Sequence, residues 1–558
     1  MDEHNYWQRL SGQRLARRTL LRSSGIAAAG AGVAVLAGCG NKNTGAGRAS
    51  TGAATSGGSG AGPPQKGGVI VHRLNTDPDS LDIHTTSTFY AAWPATPNYN
   101  QLLQYDPQDP DNKIIPDLAD SYEIAGDGKS VVFKLHPGVK FHDGSDFSSE
   151  DVKANIDWIQ SPPEKKVSPR QGVLDAIDHI ETPDPLTAKF ILKRPNPSLI
   201  PNLATEYLAI GAKGDLVKGD LGTQYNGTGP FRFKAFTRGV GVELDRNPNY
   251  WVKDRPYLDG LKYSLVADES TAFTNFVAGN FTRYYPLLPE EYDRVERETG
   301  GKAKASSVVA LSRRIVFFNG PKKPYGDIRV RQAISLALDR QDGLQIVEGG
   351  KAVPGGYMMP GGQWAIPTDQ LKKTPGYDKA DIAEAKKLLA AAGVSEPLTG
   401  SILTRTDPQF QATAVWVQGT LKKALGWDYK IDAKDNASAY AAAYAGQFDL
   451  IAWTVAITID DPDATFAEIA TTKAVRNWSK VYDTEGDALF DKQTVTLDAG
   501  QRKQLVQQME TRFLNSFQVA MLWFSNANHG VWSQVQDYKV AKSLYTNYRY
   551  QDAWLSKA

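Results

Sequence analysis

The sequence predicts an α/β protein of several sub-domains, and three observations lead there. Stretches in which apolar residues alternate with polar ones are interleaved with stretches of helical periodicity along most of the chain. A late segment, "FDLIAWTVAI", is almost wholly apolar, as a strand covered on both faces must be. The 558 residues, 41% hydrophobic and 22% charged, have an ordinary globular composition and length enough for two or three domains. No internal repeat is visible.

The elements follow in order. Residues 1–38 carry Arg14, Arg17, Arg18 and Arg22 ahead of a bland apolar run, Ile26 to Ala37. That is the layout of an export signal, and the run is too short to cross a bilayer as a helix. Leu36-Ala37-Gly38-Cys39 resembles the lipobox of bacterial lipoproteins, which places the only cysteine in the chain at a mature amino terminus carrying lipid. More than one acyl chain gives stable anchoring where a single chain is marginal. The stretch Arg17 to Arg22 looks like a twin-arginine export motif, although arginine pairs are also common in general export signals. Residues 39–67, rich in Gly, Ser, Thr and Ala, have almost nothing to bury and read as a flexible tether on the order of 30 Å long.

In the body, "SYEIAGDGKSVVFKL" reads as a hairpin, with Tyr122 and Ile124 before the Asp127-Gly128 turn and Val131, Phe133 and Leu135 after it. "FSSEDVKANIDWI" opens a helix with Ser148 as N-cap, Asp151 three residues on, and Phe147 packing on Val152. "DIRVRQAISLALDR" places Val330, Ala333, Ile334, Ala337 and Leu338 on one helix face, with Arg329 and Arg331 pairing locally beside Asp327. "YDKADIAEAKKLLAAAG" aligns Ile382, Ala385, Leu389 and Ala392 before Gly393, and "ATAVWVQGTLKKALG" aligns Ala414, Val417, Leu421, Ala424 and Leu425 before Gly426.

Charge excludes some partners. Without residues 1–38, which hold five Arg and two acidic side chains, the net charge is about −2, and there is neither a block of like charge nor a basic-aromatic stripe. Nucleic acid is not an expected partner. Cys39 aside, the body has no thiol, which removes disulfides, cysteine-metal sites and cysteine nucleophiles together.

Four segments together carry a resemblance. "IIPDLADSYEIAGDGKSVVFKLHPGVKFHDGSDFSSEDV", "TGPFRF" with "LDRNPNYW", "RVRQAISLALDR" and "YDKADIAEAKKLLAAAG" are similar, in order, to the landmarks of the family 5 extracellular solute-binding proteins, the oligopeptide, dipeptide and nickel receptors of ABC importers. The resemblance implies a two-lobed periplasmic-binding-protein-like clamp of type II with an extra small α/β sub-domain. Residues 68–113, 226–310 and 521–558 form lobe I on this reading, 114–225 its small sub-domain, and 311–520 lobe II. It also implies an ABC permease and ATPase complex as partner, a small-molecule or peptide ligand held in a hinged cleft, a monomer, no cofactor and no metal. The expected location is outside the cytoplasm, lipid-anchored at the outer face of the cytoplasmic membrane.

The landmark motifs read as structural: His142 and Asp143 in "KFHDG" as a polar turn, and Asn247, Pro248, Tyr250 and Trp251 as a packed turn. In the family a Trp in the late buried strand stacks beside the solute, and that position matches Trp453, followed by Thr454, Val455 and Ala456. Trp453 also reads as plain core. Oligopeptide receptors carry an Asp three residues after that Trp to pair with the peptide ammonium; here the position is Ala456, and Asp460 or Asp461 takes the role if the loop holds an insertion. A buried ammonium without a counter-charge is costly, so a receptor lacking the Asp disfavours a free peptide amino terminus at that place. Tyr90, Trp93, Tyr357 and Trp364 are candidates for the facing wall, although aromatics in Gly/Pro-rich loops are as often rim residues.

Two other classes compete. A secreted hydrolase lacks support: there is no G-x-S-x-G, no H-E-x-x-H, and the seven histidines are scattered singly. A lipoprotein that reports a solute to a sensor, importing nothing, has the same sequence features as a transport receptor.

Overall fold

The structure, a computed structural model, describes residues 62–557 apart from 87, 110–112, 165, 220–221, 223, 475, 544–545 and 547. The signal segment, the lipobox with Cys39 and all but the end of the tether lie outside the described residues. Among those described, no helix is long and apolar enough to cross a membrane.

The chain enters the main sheet at β1 (Val69–Leu74), and a short helix, α1 (Phe89–Ala95), follows. A separate small sheet comes next: β2 (Ala119–Ile124), β3 (Ser130–Leu135), β4 (Ile177–Asp184) and β5 (Thr187–Leu192), in the order β2-β3-β5-β4. The β2–β3 hairpin is the one expected, with Tyr122 opposite Phe133, Ile124 opposite Val131, and Gly128 at φ 68 in the turn. Val131, Phe133 and Leu135 point into the core. Helix α2 (Ser149–Gln160) packs on β4 and β5. Asp151 reaches back to accept the main-chain N–H of Ser148 at 2.9 Å, one half of a capping box. Phe147 and Val152 are both buried at its start. Helix α3 (Leu199–Leu203) then leads back toward the main sheet.

The next strands, β6 (Phe231–Thr237), β7 (Gly241–Arg246), β8 (Gly260–Leu265) and β9 (Arg283–Tyr284), join β1. The 16-residue β10 (Ala303–Phe318) follows. Beyond it lie α4 (Ile328–Ala337), α5 (Arg340–Glu348), β11 (Ala352–Pro354), α6 (Ile382–Ala391), β12 (Thr399–Arg405), α7 (Pro408–Leu425), β13 (Asp428–Lys434), α8 (Asn436–Tyr444) and β14 (Leu450–Ala456). The last part holds α9 (Pro462–Ile469), α10 (Thr484–Gln493), α11 (Ala499–Asn515) and β15 (Val519–Trp532).

The main sheet has 11 strands in the order β13-β12-β14-β10-β15-β9-β1-β8-β7-β6, with β11 also on β15. The molecule is a two-lobed α/β clamp of type II, and β10 and β15 are what make it two-lobed. Residues 303–309 of β10 pair with 526–532 of β15 beside β9; after a register shift between Val309 and Arg313, residues 313–317 pair with 519–524 beside β14. A shift of this kind locally breaks the ladder and bends the strand. Each half has its own core: Ile70, Trp93, Leu244, Leu261 and Tyr263 on one side, and Val330, Ile334, Leu389, Val417, Leu421 and Leu450 on the other.

Two local expectations need correction. "DIRVRQAISLALDR" does not form one helix: α4 ends at Ala337, Leu338 is extended (φ −84, ψ 103), and Asp339 caps α5 by accepting from the N–H groups of Gln341 and Asp342. Leu338 stays buried, held by the break rather than by the helix face. Arg331 makes no ion pair with Asp327. Its guanidinium is buried and donates to the carbonyls of Tyr325, Gly326, Ser516 and Phe517, stitching α4 to the approach of β15. Burial pulls its pKa down to about 10. On α6 the expected face is the inner one: Ala385 and Leu389 are buried, and Ile382 and, just past the helix end, Ala392 pack half-buried against the same core.

Candidate functional site

Strand β14 is apolar because it lies between β12 and β10 with helices on both faces, and it carries Trp453 in its middle. Trp453 is 1% exposed. Its indole meets Phe410 of α7 at 5.4 Å, Tyr440 of α8 at 5.3 Å and Trp478 at 5.3 Å, all near-perpendicular. Edge-to-face pairs of this kind are individually worth about 0.5–1.5 kcal/mol. At the end of β12, Arg405 lies 4.5 Å over the Phe410 ring and pairs with Asp407, leaving its buried Nε unpaired.

The residues after Trp453 diverge. By strand alternation Thr454 faces the other way, where its hydroxyl accepts from Arg314. Val455 is buried opposite Arg313, and Ala456 pairs with Ser312. Asp460 lies beyond the strand, nearly buried, with Oδ1 unpaired. Burial, and then the charge of Asp461, pushes its pKa up to about 7.

Arg313 is the residue that sequence reasoning passed over. It lies just past the register shift in β10, is fully buried, and donates through Nη1 to the carbonyl of Tyr357 and, at 3.5 Å, to Thr465, while Nε and Nη2 have no partner. Burial pulls its pKa down to about 10, opposed by the charges of Glu468, Asp460 and Glu510. A signal was present: two consecutive arginines, Arg313 and Arg314, interrupt a run that is otherwise that of a covered strand. Arg314, on the opposite face, is fully paired with Glu348.

The loop bearing Tyr357 and Trp364 is not a rim. Both are buried, at 0% and 2% exposure. Glu510 of α11 holds the loop by accepting the N–H groups of Met358 at 2.8 Å and Ile366 at 3.0 Å. A Cβ at Gly356 would lie 2.4 Å from that carboxylate, so the close approach needs glycine. Burial raises the pKa of Glu510 to about 7. Trp364 donates its indole N–H to the carbonyl of Asp460 at 3.1 Å, and the hydroxyl of Tyr357 is unpaired. Tyr357, Trp364, Asp460 and Arg313 therefore gather in one place.

On the other lobe, Tyr90 and Trp93 sit on α1. Trp93 is buried, stacked on Tyr548 at 5.2 Å and near His72 at 4.9 Å, with Tyr285 edge-on at 5.7 Å. Tyr90 is half-buried on the same helix, edge-on to Trp93 at 5.5 Å. Behind Trp93, Arg283 donates to the hydroxyls of Tyr550 at 2.8 Å and Tyr548 at 3.3 Å and to His529, with Nε unpaired. Burial and this arginine push His72 and His529 well below the ordinary histidine pKa, so both partners are neutral.

His142 and Asp143 belong elsewhere. His142 bonds the carbonyl of Gly229 at 3.0 Å and is held near pKa 4 by burial, while Asp143 accepts from Ser145 and Asn226 in a turn. In the other landmark turn, Asn247 bonds the carbonyl of Gly229, and Tyr250 bonds Gln551. Among the described residues no group of three or more His, Cys, Asp or Glu side chains could hold a metal ion. What the junction offers is buried charge of both signs within aromatic walls, which suits holding a polar solute.

Comparison with known proteins agrees. The profile described as "Bacterial extracellular solute-binding proteins, family 5 Middle" matches residues 113–477. Glutathione-binding protein GsiB of Pectobacterium atrosepticum is 32% identical over 277 residues, 49% of this chain and 52% of that protein; the match thus spans about half the length of that relative. Di/tripeptide-binding protein 1 of Pseudomonas aeruginosa is 26% identical over 489 residues, 82% of this chain and 89% of that protein. The ABC transporter-associated periplasmic binding protein DppA of Helicobacter pylori, solved with the peptide STSA, superposes with a TM-score of 0.77 at 23% identity, covering 88% of this chain and 99% of that one.

Proposed function

Because the chain belongs to the bacterial extracellular solute-binding proteins of family 5, we propose that it captures a short peptide or peptide-like solute between its lobes and hands it, chemically unaltered, to an ABC permease and its ATPase. The observation that carries the ligand class is the valency left open at the junction. Arg313 has two buried nitrogens without acceptors, Arg405 has one, and Asp460 has an oxygen without a donor. A buried charge without a partner costs several kcal/mol, so a ligand that supplies the missing partners binds strongly.

On this reading a ligand carboxylate meets Arg313 or Arg405, and a ligand ammonium meets Asp460, the role sequence reasoning could not give to Ala456. Trp453, Val455, Tyr90, Trp93, Tyr357 and Trp364 form the aromatic and apolar walls, with Thr454 supporting from behind. Lobe I comprises residues 68–113, 226–310 and 521–558, its sub-domain 114–225, and lobe II 311–520. The protein is exported, works as a monomer outside the cytoplasm, and is tethered to the membrane by lipid on Cys39.

The test is native mass spectrometry of protein exported from its own host, followed by thermal shift with the species that co-purifies and with a panel of di- and tripeptides. A ligand at about 100 times its Kd adds about 2.7 kcal/mol of stability. Recovery of a peptide that raises Tm supports the reading. Recovery of a cleaved product, or of a ligand with no carboxylate, overturns it.

A further inference from the structure

Ser198 lies in the small sub-domain, just ahead of α3, and is 1% exposed because it is inserted against the opposite lobe. Its Oγ is 2.7 Å from Asp461 Oδ1, 2.8 Å from Asp463 Oδ2 and 2.9 Å from Arg502 Nη2. The three partners come from the start of α9 and from α11, more than 260 residues away in sequence.

The protons at this junction can be counted. A hydroxyl has one hydrogen to give, yet Ser198 Oγ sits at hydrogen-bond distance from two carboxylate oxygens. Arg502 only donates. Two contacts this short are best satisfied, rather than by one shared hydrogen, when a second hydrogen from a carboxyl group lies in one of them.

Asp461 is the poor candidate: Arg502 grips both its oxygens, at 3.0 and 3.1 Å, and the N–H of Asp463 adds a third donor at 2.9 Å. Every one of those donors favours the ionised form. Asp463 is different. Its Oδ1 accepts from Gln493 Nε2 at 2.6 Å and, more weakly, from Arg502 Nη2 at 3.5 Å, while its Oδ2 has only Ser198.

We infer that Ser198 is the fastening point of the shut clamp and that shutting it takes up one proton, carried on Asp463 Oδ2 and donated to Ser198 Oγ, which in turn donates to Asp461 Oδ1. The charged groups acting on Asp463 are Asp461 from its own element and Arg502 from α11; Gln493 from α10 and Ser198 from the sub-domain are neutral. Burial, and then Asp461, raise the pKa of Asp463, in keeping with the count. When the lobes part, Ser198 withdraws, Asp463 meets water, and its carboxyl returns toward the ordinary value near 3.9.

The sign follows from linkage. The shut form binds one more proton than the open form between that ordinary value and the higher value in the shut clamp. Across this window the shut-to-open ratio falls by up to tenfold per pH unit as pH rises.

The inference rests on the opening and closing proposed above, and the experiment separates the two. The radius of gyration of the full chain without ligand is measured by solution scattering at pH 5 and pH 8 for wild type, Asp463→Asn and Ser198→Ala, with circular dichroism to show that each is folded. Asparagine places an N–H donor where the proton sits and still accepts from Gln493. The shut-to-open ratio of wild type should fall between pH 5 and pH 8 and that of Asp463→Asn should fall less; Ser198→Ala should be more open than wild type at pH 5. Asp460 titrates in the same range, so the comparison between variants is what decides. Lobes that open with the same pH profile in wild type and Asp463→Asn overturn the proton count and leave the clamp standing. Lobes that never part, in any variant or with any solute, overturn both.

Discussion

Arg314 donates from Nε to Glu348 Oε1 at 2.9 Å, and both side chains are almost wholly buried. The same carboxylate oxygen also accepts from Trp523 Nε1 and Ser525 Oγ, so the pair sits in a completed network. Arg313, one residue earlier and on the other face of β10, has no comparable partner. Adjacent arginines thus differ: one is held in a completed network, and the other has two nitrogens without a partner, the valency that the proposed function assigns to a solute.

Removing Glu348 strands a buried guanidinium. Glu348→Ala should lower stability by about 3–5 kcal/mol. Chemical denaturation followed by fluorescence checks this, and a variant as stable as wild type contradicts the network.

Arg313 should behave in the opposite way. Its unpaired nitrogens already cost the folded protein, so Arg313→Met should leave the melting temperature of the free protein unchanged or raise it, while weakening peptide affinity at least tenfold. Calorimetric titration with the co-purifying ligand reads the second effect. Unchanged affinity would remove Arg313 from the site.

The pKa of Asp460 in the folded chain is raised to about 7, above its unfolded value near 3.9. The folded state therefore binds more protons than the unfolded state between those values, and its stability falls as pH rises through that window. Asp460→Asn should flatten this part of the profile. Melting temperatures at pH 5 and pH 8 should differ less in the variant than in wild type; equal differences would place Asp460 in a wetter setting.

Trp453 packs the lobe, and on the proposed function it also walls the ligand site. Trp453→Ala should cost about 3–5 kcal/mol by leaving Phe410, Tyr440 and Trp478 around a void. Trp453→Phe should fold and bind several-fold more weakly. If the Phe variant binds as wild type does, Trp453 is core alone.

Cys39→Ser should move the protein from membranes to the soluble fraction. Immunoblots of the two fractions read it, and membrane retention of the variant refutes a lipid anchor at this residue.

Local features were legible before the fold was seen. The hairpin around Gly128 and the helix start at Ser148 depend on residues a few positions apart, and the physics of turns and caps is equally short-ranged. The break at Leu338 was also written locally, in Asp339 followed by Asp342, but the apolar period running through Leu338 masked it. The pair Arg313-Arg314 marked charge in a covered strand, but what Arg331 and Arg313 each meet, Phe517 or Tyr357, is brought there only by the tertiary path. The contact of Ser198 with Asp463 joins positions with no pattern in common, and only the folded chain brings them together.

Strand β15, residues Val519–Trp532, lies between β10 and β9 in the middle of the sheet. It is also C-terminal to every other strand of that sheet. Until those residues emerge, the two halves have no shared ladder and β1 and β9 end at an unpaired edge, so a nascent chain halted anywhere earlier can build pieces but cannot assemble the whole. Assembly must then wait for these residues, and the unfinished edge is what a holding chaperone has to shield in the meantime.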